Sequence, residues 1–405
     1  MITVKEAQKI ILENTSQLNT EMIHLSQGLG RILAKDIKSP IALPVDDNSA
    51  MDGYVLNSKA CYLASESRPV QLKVKKPIKA GDNPKKKLKL NEAYPIMTGA
   101  VIPQGGDTIL IKEHAIRRNG ELIVRKKLPK GKHIRRKAEE IKKGQTVLAQ
   151  NKIITPALVG FMASLGIKKI PVYRAPKITV IVTGSELVSL GKTLTKGKIY
   201  DSNSHMMKSL LEEMGLGSIQ IKRVKDNMAA ITKVTQKALS DSELILFMGG
   251  VSVGDYDFVK DVLNKEKVKT LFWKIKQKPG KPLYFGKKKQ TLVFGLPGNP
   301  ASVFTCFYEY VYPALRKMMR RESIYLQKET VSLTQEIKVD LEKTKFLKAN
   351  IVLNTKKREV SPLSNQGSHM LSSLCEANGL VVIPPGRKTL KKGNKVEVHL
   401  FPKEL

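Results

Sequence analysis

The sequence predicts a multidomain α/β protein built around a doubly wound sheet, and three observations carry that expectation. Between residues 177 and 320, apolar runs alternate with amphipathic helical stretches, the pattern of a parallel sheet with helices on both faces. Upstream, residues 55–140 break into short apolar runs among Gly, Pro and Lys clusters, which predicts a small β-rich module. Beyond residue 325 the pattern changes to period two, with Gly, Pro and Asn between the runs, and an all-β tail is expected. A chain of 405 residues is too long for one core, so two to four domains are expected.

The elements follow in order. Thr3-Val4-Lys5-Glu6 is a capping box, and Ala7, Ile10 and Ile11 share one face of the short helix it opens. From about residue 37 the chain turns extended, because Pro40 and Pro44 bar a long helix. Gln71–Val74, Ile109–Lys112 and Leu122–Val124 are strand candidates, and the lysine runs at 75–76, 85–87 and 135–137 are simplest as solvated loops. A helix is expected over 155–166, apolar at Leu158, Val159, Phe161, Met162 and Leu165 and stopped by Gly166; the stretch through Pro176 marks a boundary. Strands are then expected at Ile178–Val182, Ile219–Val224, Leu244–Met248, Thr270–Lys274 and Leu292–Phe294. Helices are expected at 204–214, 228–239 and 257–264, and a long one from Pro300. The tail contributes Val331–Ile337, Phe346–Leu353, Leu380–Ile383 and Val396–Leu400.

Composition narrows the class. Hydrophobic residues at 41% and charged residues at 26% are a globular balance, which excludes global disorder. The longest apolar runs fall short of the ~18 residues of a membrane span. The amino terminus lacks the basic-then-apolar order of a signal peptide. Cys61, Cys306 and Cys375 are scattered and odd in number, which argues against a disulfide framework or a zinc site. A soluble, cytoplasmic protein without a membrane partner is expected. The net charge of +35 invites a nucleic-acid reading. Lysine is spread along the whole chain, however, and aromatic residues that would stack on bases are only 5%. A basic proteome or an anionic small substrate explains the same charge, and nucleic acid is not the favoured partner.

Familiar nucleotide signatures fail. Gly191-Lys192-Thr193 resembles the end of a P-loop, but the earlier glycine would have to stand where Glu186 is. Gly249-Gly250-Val251-Ser252-Val253-Gly254-Asp255-Tyr256-Asp257 follows a strand and precedes a helix. Its glycines let backbone amides approach an anion, and its acids would tolerate a phosphate if a divalent cation sat between them. A helix-capping turn is the alternative. Lys278-Pro279-Gly280-Lys281-Pro282 sets two cations on a stiffened turn that aims them at one anion, or is a surface loop of a lysine-rich chain. Gly295-Leu296-Pro297-Gly298-Asn299-Pro300 ends with proline at a helix start, which suits a ligand-binding turn or a plain connection. Asn48–Tyr54 and Met97–Ala100 are turns whose residues disclose little. Asn365–His369 offers small donors in a loop of the tail.

Taken together these strings resemble the molybdopterin molybdenumtransferase family, the bacterial MoeA proteins and the gephyrin E domain. The resemblance spans the chain in order: Asp47–Tyr54, Met97–Pro103, Ile134–Gly144, Thr183–Leu187, Ile199–Asn203, Gly249–Asp257, Lys278–Pro282, Gly295–Pro300 and Gln366–His369. It implies four domains in an elongated homodimer. Residues 1–45 and 141–174 would form a helical and extended domain, interrupted by the β module at 46–140. A molybdopterin-binding-like α/β domain at 175–325 and a C-terminal β-barrel at 326–405 would follow.

The implied activity is insertion of molybdate into adenylated molybdopterin with magnesium-dependent release of AMP. By resemblance, Asp226 and Asp257 would hold magnesium, with Glu186 as a further catalytic acid. Lys278, Lys281, Lys348 and Ser368 would receive molybdate. Asp52 and Thr98, from the partner subunit, would line the pterin side, while Gly249, Gly250, Ser252, Pro297 and Pro300 would hold the nucleotide-pterin part. A molybdopterin adenylyltransferase is a further implied partner. Three strings depart from the family pattern. Phe346-Leu347-Lys348-Ala349 has lysine for the usual arginine and loses its planar fork. Ala138-Glu139-Glu140 replaces Gly-Glu-Asp, and Thr183-Gly184-Ser185-Glu186 replaces Thr-Gly-Asp-Glu. Two other functions remain open on sequence: adenylation of molybdopterin, and a scaffold or nucleic-acid binder.

Overall fold

The computed structural model describes residues 1–250, 258–387 and 389–402. The capping box forms: Glu6 N donates to Thr3 Oγ1, and Thr3 N donates to Glu6 Oε2 at 2.7 Å. It starts α1 (Val4–Asn14), whose buried Val4, Ala7 and Ile11 join the core of the α/β domain. The chain divides into two units, one formed by 22–29 and 33–171, the other by 1–21, 30–32 and 172–405.

The first unit holds a six-stranded sheet of β1 (Gly53–Leu56), β2 (Val70–Val74), β3 (Glu92–Ile96), β4 (Thr108–Ile111), β5 (Ile116–Arg118) and β6 (Glu121–Val124), in the order β4-β1-β3-β2-β6-β5. Leu72, Leu110, Leu122 and Val124 bury one face, the alternation that made these strands legible. The helix α2 (Pro156–Ser164) starts on Thr155, whose Oγ1 accepts from Leu158 N, and has proline in its first turn.

The second unit carries β7 (Ile178–Thr183), α3 (Ser202–Glu213), β8 (Ile219–Val224), α4 (Met228–Asp241), β9 (Leu244–Met248), α5 (Phe258–Lys265), β10 (Lys269–Trp273), β11 (Gln277–Lys278), β12 (Tyr284–Lys288) and β13 (Thr291–Leu296). The main sheet runs β8-β7-β9-β13-β12-β10. Alternate residues feed opposite faces. Val180, Leu246 and Phe294 pack with Met207 and Leu211 of α3, whereas Ile181, Phe247 and Val293 pack with Ile231 of α4 and Val262 of α5. This is the doubly wound arrangement that the sequence predicts.

The expected all-parallel sheet needs one correction. β12 pairs antiparallel with both β13 and β10. Only Lys289 and Gln290 separate β12 from β13, with Lys289 at φ +55°, and two residues can close a hairpin but not a parallel crossover. The long helix after Pro300 is also confirmed, as α6 (Pro300–Cys306), a π-helical stretch at Phe307–Val311, and α7 (Tyr312–Met318).

The tail is a closed five-stranded barrel. Its strands are β14 (Gln327–Leu333), β15 (Thr344–Leu353), β16 (Arg358–Pro362), β17 (Gly379–Ile383) and β18 (Lys395–Leu400), with the short helix α8 (Ser372–Glu376) before β17. They close in the order β15-β16-β14-β18-β17-β15 around Val331, Ala349, Val360, Val381 and Val398. β11 of the α/β domain adds to the start of β15, Gln277 opposite Thr344. Among the described residues no helix is long and apolar enough to cross a membrane.

Candidate active site

The carboxyl ends of parallel strands leave backbone groups and turns free for a ligand, and here four of them border one cavity of about 980 Å³. Thr183, Gly184 and Glu186 follow β7, Asp226 follows β8, Gly249 and Gly250 follow β9, and Pro297, Gly298 and Asn299 follow β13. The turn Gln277–Pro282 forms a second side. The barrel supplies the third, from Lys345, Phe346 and Leu347 on β15 and from the loop Gln366–His369. A smaller cavity of about 300 Å³ adjoins it, sharing Thr183, Glu186, Gly249 and Asn299 and adding Asn203 and Pro300.

Asp226 and Glu186 make the acidic side. Asp226 Oδ1 is buried without a hydrogen-bond partner among the described residues. Burial, and then the negative charge of Glu186, push its carboxyl above the usual aspartate range. Thr183 Oγ1 is buried and unpartnered in the same way. Gly249 adopts φ +86°, and a Cβ there would lie 2.8 Å from Thr183 O, so only glycine brings this turn so close to β7.

Lys278 and Lys281 make the basic side. Both are exposed, both border the cavity, and neither ammonium is paired with a described residue. Their turn is held from beneath. Buried Gln277 donates from Nε2 to Gly280 O at 3.0 Å and accepts from Tyr310 Oη. Gly280 sits at φ +85°, where a Cβ would meet Cys306 Sγ at 2.6 Å. Ser368 enters from the barrel loop. Its Oγ accepts from Asn299 Nδ2 at 3.0 Å, and its carbonyl accepts from Ala301 N at the start of α6.

The cavity therefore brings together Glu186, Asp226, Gly249, Gly250, Pro297, Lys278, Lys281 and Ser368, with Pro300 on the adjoining one. Asp257 and Ser252 lie outside the described residues. Asp52 and Thr98 belong to the other unit, where Thr98 donates from both N and Oγ1 to Asp52 Oδ1. Those bonds hold the exposed Asp52 carboxyl below its ordinary value.

Lys348, expected to receive molybdate, is 3% exposed and is not among the residues that border the cavity. Its ammonium donates to Gly367 O (3.2 Å), Met370 O (3.3 Å) and Ser373 Oγ, behind the loop that carries Ser368. Burial lowers its pKa from the usual lysine value. Sequence reasoning missed Gln277 and Lys345 as cavity residues. Nothing in their local pattern marks them, because β11, which carries Gln277, is a two-residue strand and Lys345 is one lysine among many.

Comparison with known proteins gives the same picture over the whole chain. Residues 2–166 match the family model of the MoeA N-terminal region (domain I and II), residues 179–317 that of the "Probable molybdopterin binding domain", and residues 330–401 that of the MoeA C-terminal region (domain IV). The chain is 36% identical to a molybdopterin molybdenumtransferase of Haemophilus influenzae, covering 99% of each. It is 33% identical to one of Staphylococcus epidermidis, covering 98% of this chain and 95% of that one. The crystal structure of a molybdopterin biosynthesis MoeA protein from Pyrococcus horikosii superposes with a TM-score of 0.80 at 30% identity, over 100% of both chains.

Fold, cavity and relatives define a transferase of molybdenum cofactor biosynthesis. Within that class, the chain belongs to the molybdopterin molybdenumtransferase family.

Proposed function

We propose that this enzyme inserts molybdate into the dithiolene of adenylated molybdopterin and releases AMP in a magnesium-dependent step. The observation that carries the reading is one cavity in which, among the described residues, the ammonium groups of Lys278 and Lys281 are unpaired and a buried carboxylate oxygen of Asp226 has no partner. Molybdate is a tetrahedral dianion and needs converging charge and donors. The two lysines supply the charge, and the Ser368 hydroxyl has a proton to donate while its oxygen accepts from Asn299.

Oxygen donors are what magnesium takes, and Asp226 Oδ1 fits that requirement. Asp226 would hold the ion with Asp257, and Glu186 would add negative charge beside it. When bound, magnesium neutralises charge on phosphate oxygens as an anhydride breaks. Gly249, Gly250, Ser252, Pro297 and Pro300 would cradle the phosphates and the nucleotide-pterin, and the raised carboxyl of Asp226 would be drawn back to its ionised form by a cation. Asp52 and Thr98 would line the pterin side from the second subunit of a homodimer in the cytoplasm, and a molybdopterin adenylyltransferase would supply the substrate.

The test is AMP release from adenylated molybdopterin by the purified protein. Release is expected only when molybdate and magnesium are both present. An adenylate left intact under those conditions, or hydrolysed equally without molybdate, overturns the reading.

A further inference from the structure

Lys348 is a buried cation with no carboxylate partner among the described residues. Its three donors go to three neutral oxygens of one short segment, Gly367 O, Met370 O and Ser373 Oγ. An ammonium has three donors in a tetrahedral fan, so all of its hydrogen-bonding capacity is spent there. The backbone of the same residue holds the front of the segment. Lys348 N donates to Gln366 Oε1 at 3.0 Å, and Lys348 O accepts from Gln366 Nε2 at 2.8 Å and from Leu363 N at 2.9 Å. One residue of β15 thus clasps the loop from Leu363 to Ser373.

That loop is the barrel's contribution to the cavity. Gln366, Gly367, Ser368 and His369 border it, and Ser368 is tied across it to Asn299 and Ala301 of the α/β domain. Burying an ammonium without a counter-charge is costly, and the loop carbonyls compensate only while the loop keeps this shape. The cost of losing them therefore favours the one conformation that presents Ser368 to the cavity.

We propose that Lys348 is a positioning residue for the oxyanion site, acting through the loop 366–370 and never touching the anion itself. This rests on the molybdate reading of the cavity and deepens it. It also gives the departure from the family's arginine a physical sense. A planar guanidinium fork matches one flat oxyanion edge, whereas three carbonyl and hydroxyl oxygens around a point call for an ammonium.

The test uses the full-length protein and three variants: Lys348→Met, Ser368→Ala and the double variant. Molybdate binding is followed by calorimetry and by the molybdate concentration for half-maximal AMP release. Lys348→Met is expected to raise both about tenfold, as for loss of a charge-assisted contact, with a smaller change in maximal rate. The double variant is expected to be no worse than about the larger single effect, because Lys348 acts through Ser368. Hydrogen exchange at the Ser368 and Met370 amides is expected to speed up in Lys348→Met, with the barrel strands unchanged. Ser373→Ala removes one acceptor without burying a new group, and is expected to move the same readouts two- to threefold. Multiplicative single effects, or an unchanged molybdate dependence with a loosened loop, overturn the proposal. A wild-type protein that neither binds molybdate nor releases AMP refutes the activity instead, and hydrogen exchange still reports whether Lys348 orders the loop.

Discussion

The two walls of the cavity are built on opposite principles. On the α/β side the reactive groups are left without partners among the described residues: Asp226 Oδ1, Thr183 Oγ1 and the ammonium groups of Lys278 and Lys281. On the barrel side the polar groups are satisfied. Lys348 makes three hydrogen bonds, Gln366 bridges Lys348 and Leu363, Ser368 is bonded to Asn299, and the Lys345 ammonium donates to Lys338 O. A buried group without a partner costs stability and persists where a ligand supplies the missing partner. Removing a partnerless group of the α/β wall should therefore change chemistry with little loss of stability, whereas removing a bonded group of either wall should also change stability and loop order.

The largest effect is expected at the acidic side. Asp226→Asn should slow magnesium-dependent AMP release by roughly 100- to 1,000-fold, the scale of several kcal/mol of lost charge stabilisation. The melting temperature should not fall, since the buried Asp226 Oδ1 has no partner among the described residues, and calorimetric melting measures this. A destabilised variant with a normal rate would erase the contrast between the walls. Gly280→Ala probes the support beneath the lysines. A Cβ at φ +85° and 2.6 Å from Cys306 Sγ should cost about 2–4 kcal/mol, read from the urea midpoint.

Lys281→Ala should raise the molybdate concentration for half-maximal turnover about tenfold with little loss of stability, because the side chain is exposed and unpaired among the described residues. Gln366→Ala, on the other wall, should cost about 1–2 kcal/mol of stability by removing its bonds to Lys348 and Leu363.

The smallest effect is expected from pH. His399 of β18 lies between Glu309 of the π-helical stretch, 2.6 Å from Nδ1, and Glu397, 2.9 Å from Nε2; Gln8 also bonds Glu309, and Lys328 pairs with Glu397. Burial opposes the charged imidazole, but hydrogen bonding to Glu309, its charge and then Glu397 outweigh it and raise the pKa. A raised folded-state value means this stabilisation is complete below the ordinary imidazole pKa and is lost as pH climbs through the raised one. The urea midpoint should therefore fall over that rise in wild type, and less in His399→Gln.

The α/β core was legible because its strands are continuous apolar runs between turn residues, as in Leu244–Met248, all five of which are buried. β12 escaped notice because Tyr284-Phe285-Gly286-Lys287-Lys288 carries a glycine and two lysines, and only pairing on both sides makes it a strand. Barrel closure was expected only from the family resemblance and was not legible in the residue pattern. It depends on β15 pairing with β17 along its first half and with β16 along its second, which is a property of tertiary structure. The cations of the site were legible as residue types, whereas their roles were not. Lys281 and Lys348 differ in burial and partners, and no local pattern encodes either.

The most direct measurement is a crystal of the protein soaked with molybdate and AMP. The anion is expected between Lys278, Lys281 and Ser368, with Lys348 still bonded to Gly367 and Met370 behind it, and the nucleotide beside Gly249 and Asp226. An anion bound on Lys348 itself, or away from this cavity altogether, would contradict the division of labour between the two walls.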